Sequence, residues 1–235
     1  MALHPSLRKP HRRRSAVLGF VFAALTVACS MAGTVAATEG EACDPAGPTG
    51  YTRVDCDDLG TQIWFGATHR LGGLTLASDV LFNSTVAEID MGPSFDVGDG
   101  LTLCPMGGLT LDYTQQRVQY LIPQFYLYAT AGKWYLESWE YASFALRQAD
   151  EPHTFTDRTF LLYSLGQGYA AGPQIEATVN LQDVGDRVAS VKVGGAFSTE
   201  YGSNNSLLLF TGYETRKGAR SGDGLVGRVT FVREW

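Results

Sequence analysis

Few side chains in this sequence could carry chemistry. Nucleophilic catalysis needs a nucleophile beside a base, most often His. The chain has four His, and two of them, His4 and His11, stand in its first dozen residues. His153 follows Asp150-Glu151-Pro152, where an acid–His pair would suit a barrel hydrolase or protease. The plainer reading of that string is a solvated, charged loop. Neither Gly-x-Ser-x-Gly nor His-Glu-x-x-His occurs. Cys43 and Cys56 flank Pro45, Gly47, Pro48 and Gly50, and an oxidising compartment would let them close a small disulfide loop. Without a matching His or Cys pair they make no zinc site. Cys104 alternates with Thr102 and Met106, as a buried bystander would. No metal, cofactor or catalytic residue is expected.

The other candidates are charges with a common parity. Glu88, Asp90, Asp96, Glu176, Glu200 and Glu234 fall on one face of their segments, with Lys192 and Arg228 as countercharges. Gln174, Tyr120, Gln124, Tyr126 and Tyr128 add amides and hydroxyls. Gathered inside a closed sheet, such residues either fill and hydrogen-bond a narrow interior or line a pore that favours cations. Glu137 and Glu140 lie on opposite faces of one segment, and Glu137 shares its face with Tyr135, Trp139 and Tyr141.

What must position these residues is strands. From Leu74 onward the chain divides into ten alternating segments, near 74–82, 85–97, 101–113, 118–129, 133–146, 155–165, 169–181, 189–200, 206–215 and 225–235. Each is about as long as a tilted strand needs to span a bilayer. In 169–181, Tyr169, Ala171, Pro173, Ile175, Ala177, Val179 and Leu181 oppose Ala170, Gly172, Gln174, Glu176, Thr178 and Asn180. Period two over so many segments marks sheet, and the apolar i, i+3, i+4 spacing of a helix is absent. The links alternate: 216–224, 182–188 and 147–154 are long and charged, whereas 201–205, 166–168, 130–132 and 98–100 are short and rich in Gly or Asn. An up-and-down barrel with long loops on one rim and tight turns on the other follows, with ten strands and eight or twelve as alternatives. Gln62–Leu71 reads as a further strand, an internal plug or an extension of the first strand.

The N-terminus reads as an export signal. Arg8, Lys9, Arg12, Arg13 and Arg14 precede the apolar run 16–28, and Val35-Ala36-Ala37 ends it with an A-x-A-like site. Thr26-Val27-Ala28-Cys29 resembles a lipoprotein box with the wrong first residue. The division expected is signal 1–37, an N-terminal periplasmic or plug segment 38–73, and a transmembrane barrel 74–235. Without the five basic residues of the signal, 13 Lys and Arg face 24 acids, a net charge near −11. That argues against nucleic acid, which calls for basic patches. With 27 Gly, 12 Phe, 11 Tyr and 4 Trp, the remainder suits a turn-rich all-β domain.

The final strand, Leu225 to Trp235, carries Leu225, Val229, Phe231 and Trp235 on one face and Arg228, Thr230 and Glu234 on the other. With the signal and the Gly-Pro-Ser-Phe (92–95) and Gly-Pro-Gln-Ile (172–175) strand pieces, it resembles the small outer-membrane β-barrel proteins of Gram-negative bacteria. The resemblance covers about 74–235. It implies outer-membrane lipid around the barrel and recognition of the last strand by the barrel-assembly machinery. The narrow bore and its charged lining, rather than the resemblance, set the expected role: structural or narrow-pore, admitting at most small cations or solutes, with no enzyme activity expected. The alternatives are a soluble, secreted lipocalin-like binder with its apolar faces inward, and an outer-membrane barrel enzyme.

Overall fold

The computed structural model describes residues 49–58, 60–146, 152–182, 188–216 and 223–235. They form twelve strands: β1 Thr49–Asp57, β2 Gly60–Leu71, β3 Leu74–Phe82, β4 Val86–Asp96, β5 Leu101–Asp112, β6 Arg117–Ala131, β7 Trp134–Ala145, β8 Thr154–Gly166, β9 Tyr169–Asn180, β10 Val188–Tyr201, β11 Asn205–Arg216 and β12 Gly224–Glu234. Each strand pairs antiparallel with its sequence neighbours, and β1 pairs with β12 to close the barrel. The ten segments expected from alternation are β3–β12. The count is twelve because β1 and β2 complete the wall, so the barrel begins at Thr49, and Gln62–Leu71 is strand rather than plug. Residues 1–37, with the expected signal, lie outside the described residues, as does Cys43. Cys56 faces outward on β1, its Sγ 3.6 Å from Thr61 Oγ1.

Turn chemistry fixes one rim. The links 72–73, 97–100, 132–133, 167–168 and 202–204 are all tight. At 167–168, Gln167 and Gly168 both have positive φ, 56° and 78°, the signature of the two-residue turn whose twist matches the flanking strands. The opposite, loop rim carries 146–153, 181–187 and 217–223, but its first three links, 58–59, 83–85 and 113–116, are also short. The contrast between rims therefore holds from β6 onward. At the seam, Gly50 N donates to Trp235 O at 3.1 Å and Trp235 N donates to Gly50 O at 2.9 Å. The Trp235 ring covers Gly50, where a Cβ would come within 2.7 Å of it.

The faces are inverted relative to a water-soluble barrel. Ile89, Met91, Phe95, Leu109, Ile175, Val193, Leu209 and Val229 are exposed on the outside, while Asp55, Asp90, Gln124, Arg158, Gln174, Glu176 and Lys192 are buried inside. The lipocalin-like alternative required the reverse. Aromatic pairs line the turn rim from β7 to β12: Trp134 with Tyr163 at 4.9 Å, Tyr169 with Phe197 at 6.0 Å and Tyr201 with Phe231 at 6.2 Å.

One acidic patch interrupts the outer surface of the described strands. Glu140 on β7 and Asp157 on β8 are the only carboxylates on the outward faces of the described strands, and they stand directly opposite each other. Ser138 Oγ lies 2.7 Å from Thr159 Oγ1, and these hydroxyls donate to Glu140 at 3.5 Å and Asp157 at 3.2 Å respectively. The patch explains why β7 carries glutamates on both faces.

Candidate functional site: a divided lumen

Alternation aims every second residue inward, and the inward residues build three layers. The middle layer is a belt of ion pairs on β1, β8, β9, β10 and β12. Asp55, 3% exposed, accepts from Thr230 Oγ1 at 2.5 Å and Arg53 Nε at 3.1 Å, with Arg158 Nη1 at 3.5 Å. Arg158 continues to Glu176 Oε1 at 3.6 Å. Glu176 is the hub. Arg228 grips it through both terminal nitrogens, Lys192 Nζ stands 3.7 Å away, and Gln174 Nε2 donates to it at 2.8 Å. Toward the loop rim the chain of pairs ends at Arg228–Asp57, 3.1 Å, and Lys192–Asp58, 3.7 Å. In the other direction it reaches Glu137 from Arg53 at 3.7 Å, and Glu137 also accepts from Tyr135 at 3.0 Å.

The opposite wall is aromatic and acidic. Trp139 stacks on Tyr126 and Tyr141, at 5.6 and 4.7 Å, meets Trp64 edge-on at 5.2 Å, and donates from Nε1 to Gln124 at 2.8 Å. These rings occupy each other's faces, so they fill the bore rather than offer open stacking platforms. On β3 and β4, Asp79 and Asp90 are cross-strand partners, with Glu88 one inward step from Asp90. Tyr51 donates to Asp79 at 2.7 Å. Asp90 is 1% exposed because it lies over Gly108, where a Cβ would come within 1.6 Å of Oδ1. Glycine there makes room for the acid.

Belt and aromatics together divide the lumen. Toward the turn rim is a cavity of about 780 Å³, and toward the loop rim one of about 600 Å³. Trp64 and Trp139 line both.

Of the residues expected in the lumen, Glu88, Glu176, Lys192 and Arg228 line the loop-rim cavity. Gln174 and Asp90 are sealed in the wall. Glu200 stands in the turn-rim cavity, and Asp96, exposed near that rim, accepts from Thr102 Oγ1 at 2.7 Å. Arg53, Asp55 and Arg158 went unread. Arg53 and Asp55 lie on β1, whose outward residues Thr52, Val54 and Cys56 give a weak apolar stripe. Arg158 lies on β8, where Phe160 and Leu162 point inward while Leu161 and Tyr163 point outward, so alternation blurs. Parity carried from β7 across the pair Trp139↔Arg158 places it. Cys104 is buried, its Sγ donating to Ser94 Oγ at 3.1 Å.

The histidines sit away from these layers. His153 Nδ1 accepts from Ala145 N at 3.0 Å and its ring packs on Phe144 at 5.7 Å, bracing the loop rim; Asp150 and Glu151 lie outside the described residues. His69, on the outward face of β2, is 3.2 Å from Ser78 Oγ. Among the described residues, no three His, Cys, Asp or Glu side chains are grouped to hold a metal ion.

No protein-family model matches the chain, and it matches no curated protein. Solved structures share its fold. The KdgM porin superposes with a TM-score of 0.50 and 14% identity, over 79% of this chain and 98% of that one. The NanC porin superposes with a TM-score of 0.55 and 9% identity, over 80% and 98%. At such identities the likeness is one of fold.

Proposed function

We propose that this protein is an outer-membrane β-barrel with a narrow bore, passing small cations weakly at most. One observation carries the reading: the wall is apolar and aromatic outside and ionic inside. Closure leaves no unpaired strand edge, which lets a sheet cross lipid, and the aromatic pairs along the turn rim of β7 to β12 suit a membrane interface. The short turns then face the periplasm and the longer loops the exterior. The outward stripe of β12, with Phe231 and Trp235, is the surface we assign to the barrel-assembly machinery.

Cation preference rests on the lining. The two cavities are lined by eight acids, Asp55, Asp57, Glu88, Glu137, Glu176, Glu200, Glu214 and Glu234, against five bases, Arg53, Lys133, Arg158, Lys192 and Arg228. An acid excess at close quarters favours cations. The belt limits the current, since a barrel of this size has an interior that side chains can fill.

The test is reversal potential in planar bilayers under a salt gradient. The parent protein is expected to favour the cation, and Glu88→Gln with Glu200→Gln, one acid from each cavity, is expected to shift the potential toward zero. These two acids are chosen because neither belongs to the belt, whereas changing Glu176 would also free its three bases. Anion selectivity in the parent protein would sink the electrostatic argument.

The membrane reading makes a second prediction. Glu140 and Asp157 then meet lipid, where carboxylates are unfavourable, though less so than Arg or Lys. Replacing them by Leu and Val is expected to stabilise the inserted barrel by about 1–2 kcal/mol. Urea unfolding in lipid vesicles measures it, and an unchanged or lower midpoint contradicts the assignment.

A further inference from the structure

The two halves of the lumen differ in chemistry, and the difference is systematic along the same strands. Toward the loop rim, β8 to β11 aim Arg158, Glu176, Lys192 and Glu214 inward. Toward the turn rim they aim Phe160 and Leu162, Ala170, Ala196 and Leu208 inward, and these pack together with Tyr135. A pore that carried only ions would gain nothing from that substitution, because apolar lining disfavours water and ions alike. Such a half-lumen is instead built like a ligand pocket: concave, with an apolar and aromatic wall on β7 to β11 and polar groups, Ser164, Ser198 and Ser206 among them, toward its mouth. Its volume of about 780 Å³ falls in the range of small-molecule sites, roughly 300–1,000 Å³. The ion-pair belt and the Trp64–Trp139 pair narrow its inner end, so a ligand of this size enters from the turn rim.

Charge selects the ligand. At the inner end Arg53 is held between Asp55, 3.0 Å, and Glu137, 3.7 Å, so an incoming anion would have to displace a carboxylate. At the mouth stand Glu200 and Glu234 with Lys133. Lys133 Nζ lies 5.8 Å above the Tyr163 ring, and Tyr163 belongs to the outward face, which draws that charge to the edge of the mouth, where two acids face one base. The mouth is thus acidic.

We propose that the turn-rim cavity binds one amphipathic organic cation. Its aromatic or alicyclic body lies against Phe160, Leu162 and Leu208, and its ammonium group stands at Glu200 and Glu234. The site operates whether or not ions pass the belt, so it stands apart from the conductance proposed above.

The experiment uses the full chain folded in lipid vesicles, with 4-bromobenzyltrimethylammonium as probe and 4-bromobenzoate as its anionic counterpart. Bromine quenches nearby indoles, and Trp64, Trp134 and Trp139 all line the cavity. Saturable quenching by the cation is expected, at a concentration about tenfold below that of the anion, as two partly exposed charge contacts would give. Glu200→Gln with Glu234→Gln should bring the two probes together while leaving the barrel heat-modifiable. Ala170→Phe, which fills the cavity, should abolish saturation. Leu208→Asn, which keeps the volume but makes the wall polar, should weaken it for both probes and serves if the Phe variant does not fold. Linear, unsaturable quenching would mean partition into lipid and overturn the proposal. Saturable quenching untouched by Ala170→Phe and Leu208→Asn, or tighter binding of the anion, would overturn it equally.

Discussion

Glu176→Gln is expected to cost about 3–5 kcal/mol, the scale of breaking a buried ion pair by removing one partner. The substitution is nearly isosteric, so packing changes little. What changes is that Arg158, Lys192 and Arg228, which converge on one carboxylate, are left facing one another. Asp55, Asp57 and Asp58 still neutralise one end of each contact, but no acid replaces the hub. The check is urea unfolding in vesicles. A loss under about 1 kcal/mol would show the belt to be solvated like a surface network. Adding Arg228→Met to Glu176→Gln should recover part of the loss, because it removes one of the stranded bases, and the double-mutant cycle reads that coupling directly. Glu176→Gln alone leaves four bases, Arg53, Arg158, Lys192 and Arg228, with four acids, Asp55, Asp57, Asp58 and Glu137, so its reversal potential should move toward zero.

Arg introduced at Ile175 is expected to cost about 2–4 kcal/mol by meeting lipid near the middle of the wall, whereas Arg at Thr178 should fold almost normally. Ile175 is exposed on the outside; Thr178 opens into the loop-rim cavity, where a long cation can reach water. Refolded fraction, read as the heat-sensitive band on gels, measures both. Equal yields would contradict the assigned faces, and the reverse order would restore an apolar interior. Alternation alone gives Gln174 the same tolerance as Thr178. The structure separates them: Gln174 is 2% exposed and bonded to Glu176, so Arg there would press a fourth base onto Glu176. Facing the lumen is not the same as having room in it.

That distinction marks how far the sequence could be read. Strand spans such as 74–82 and 169–181, and the side on which Glu88, Glu176 and Arg228 fall, follow from period two, because one face meets apolar surroundings and the other does not. β1 escaped because its outward residues are small or weakly apolar while its inward ones are charged, so no stripe announces it. The belt escaped with it, since Arg53 and Asp55 belong to β1. Which acids become sealed is set by neighbours across strands. Asp90 is buried by the missing side chain of Gly108, a relation between residues eighteen positions apart that no local pattern carries. The division of the lumen likewise comes from rings meeting across β2, β6 and β7.

The closing seam has a kinetic meaning. Eleven of the twelve strand pairings join sequence neighbours, and only β1 with β12 joins the ends. Hairpin contacts are local and form early, whereas the seam must bring Asp55 to Thr230 across 175 residues. Contacts of such separation form late, because their entropy must be lost before they repay it. Until that moment β1 and β12 are both open edges, able to template pairing with another chain. The lifetime of that open ring, rather than the strength of any hairpin, sets the window in which this barrel either completes itself or joins a neighbour.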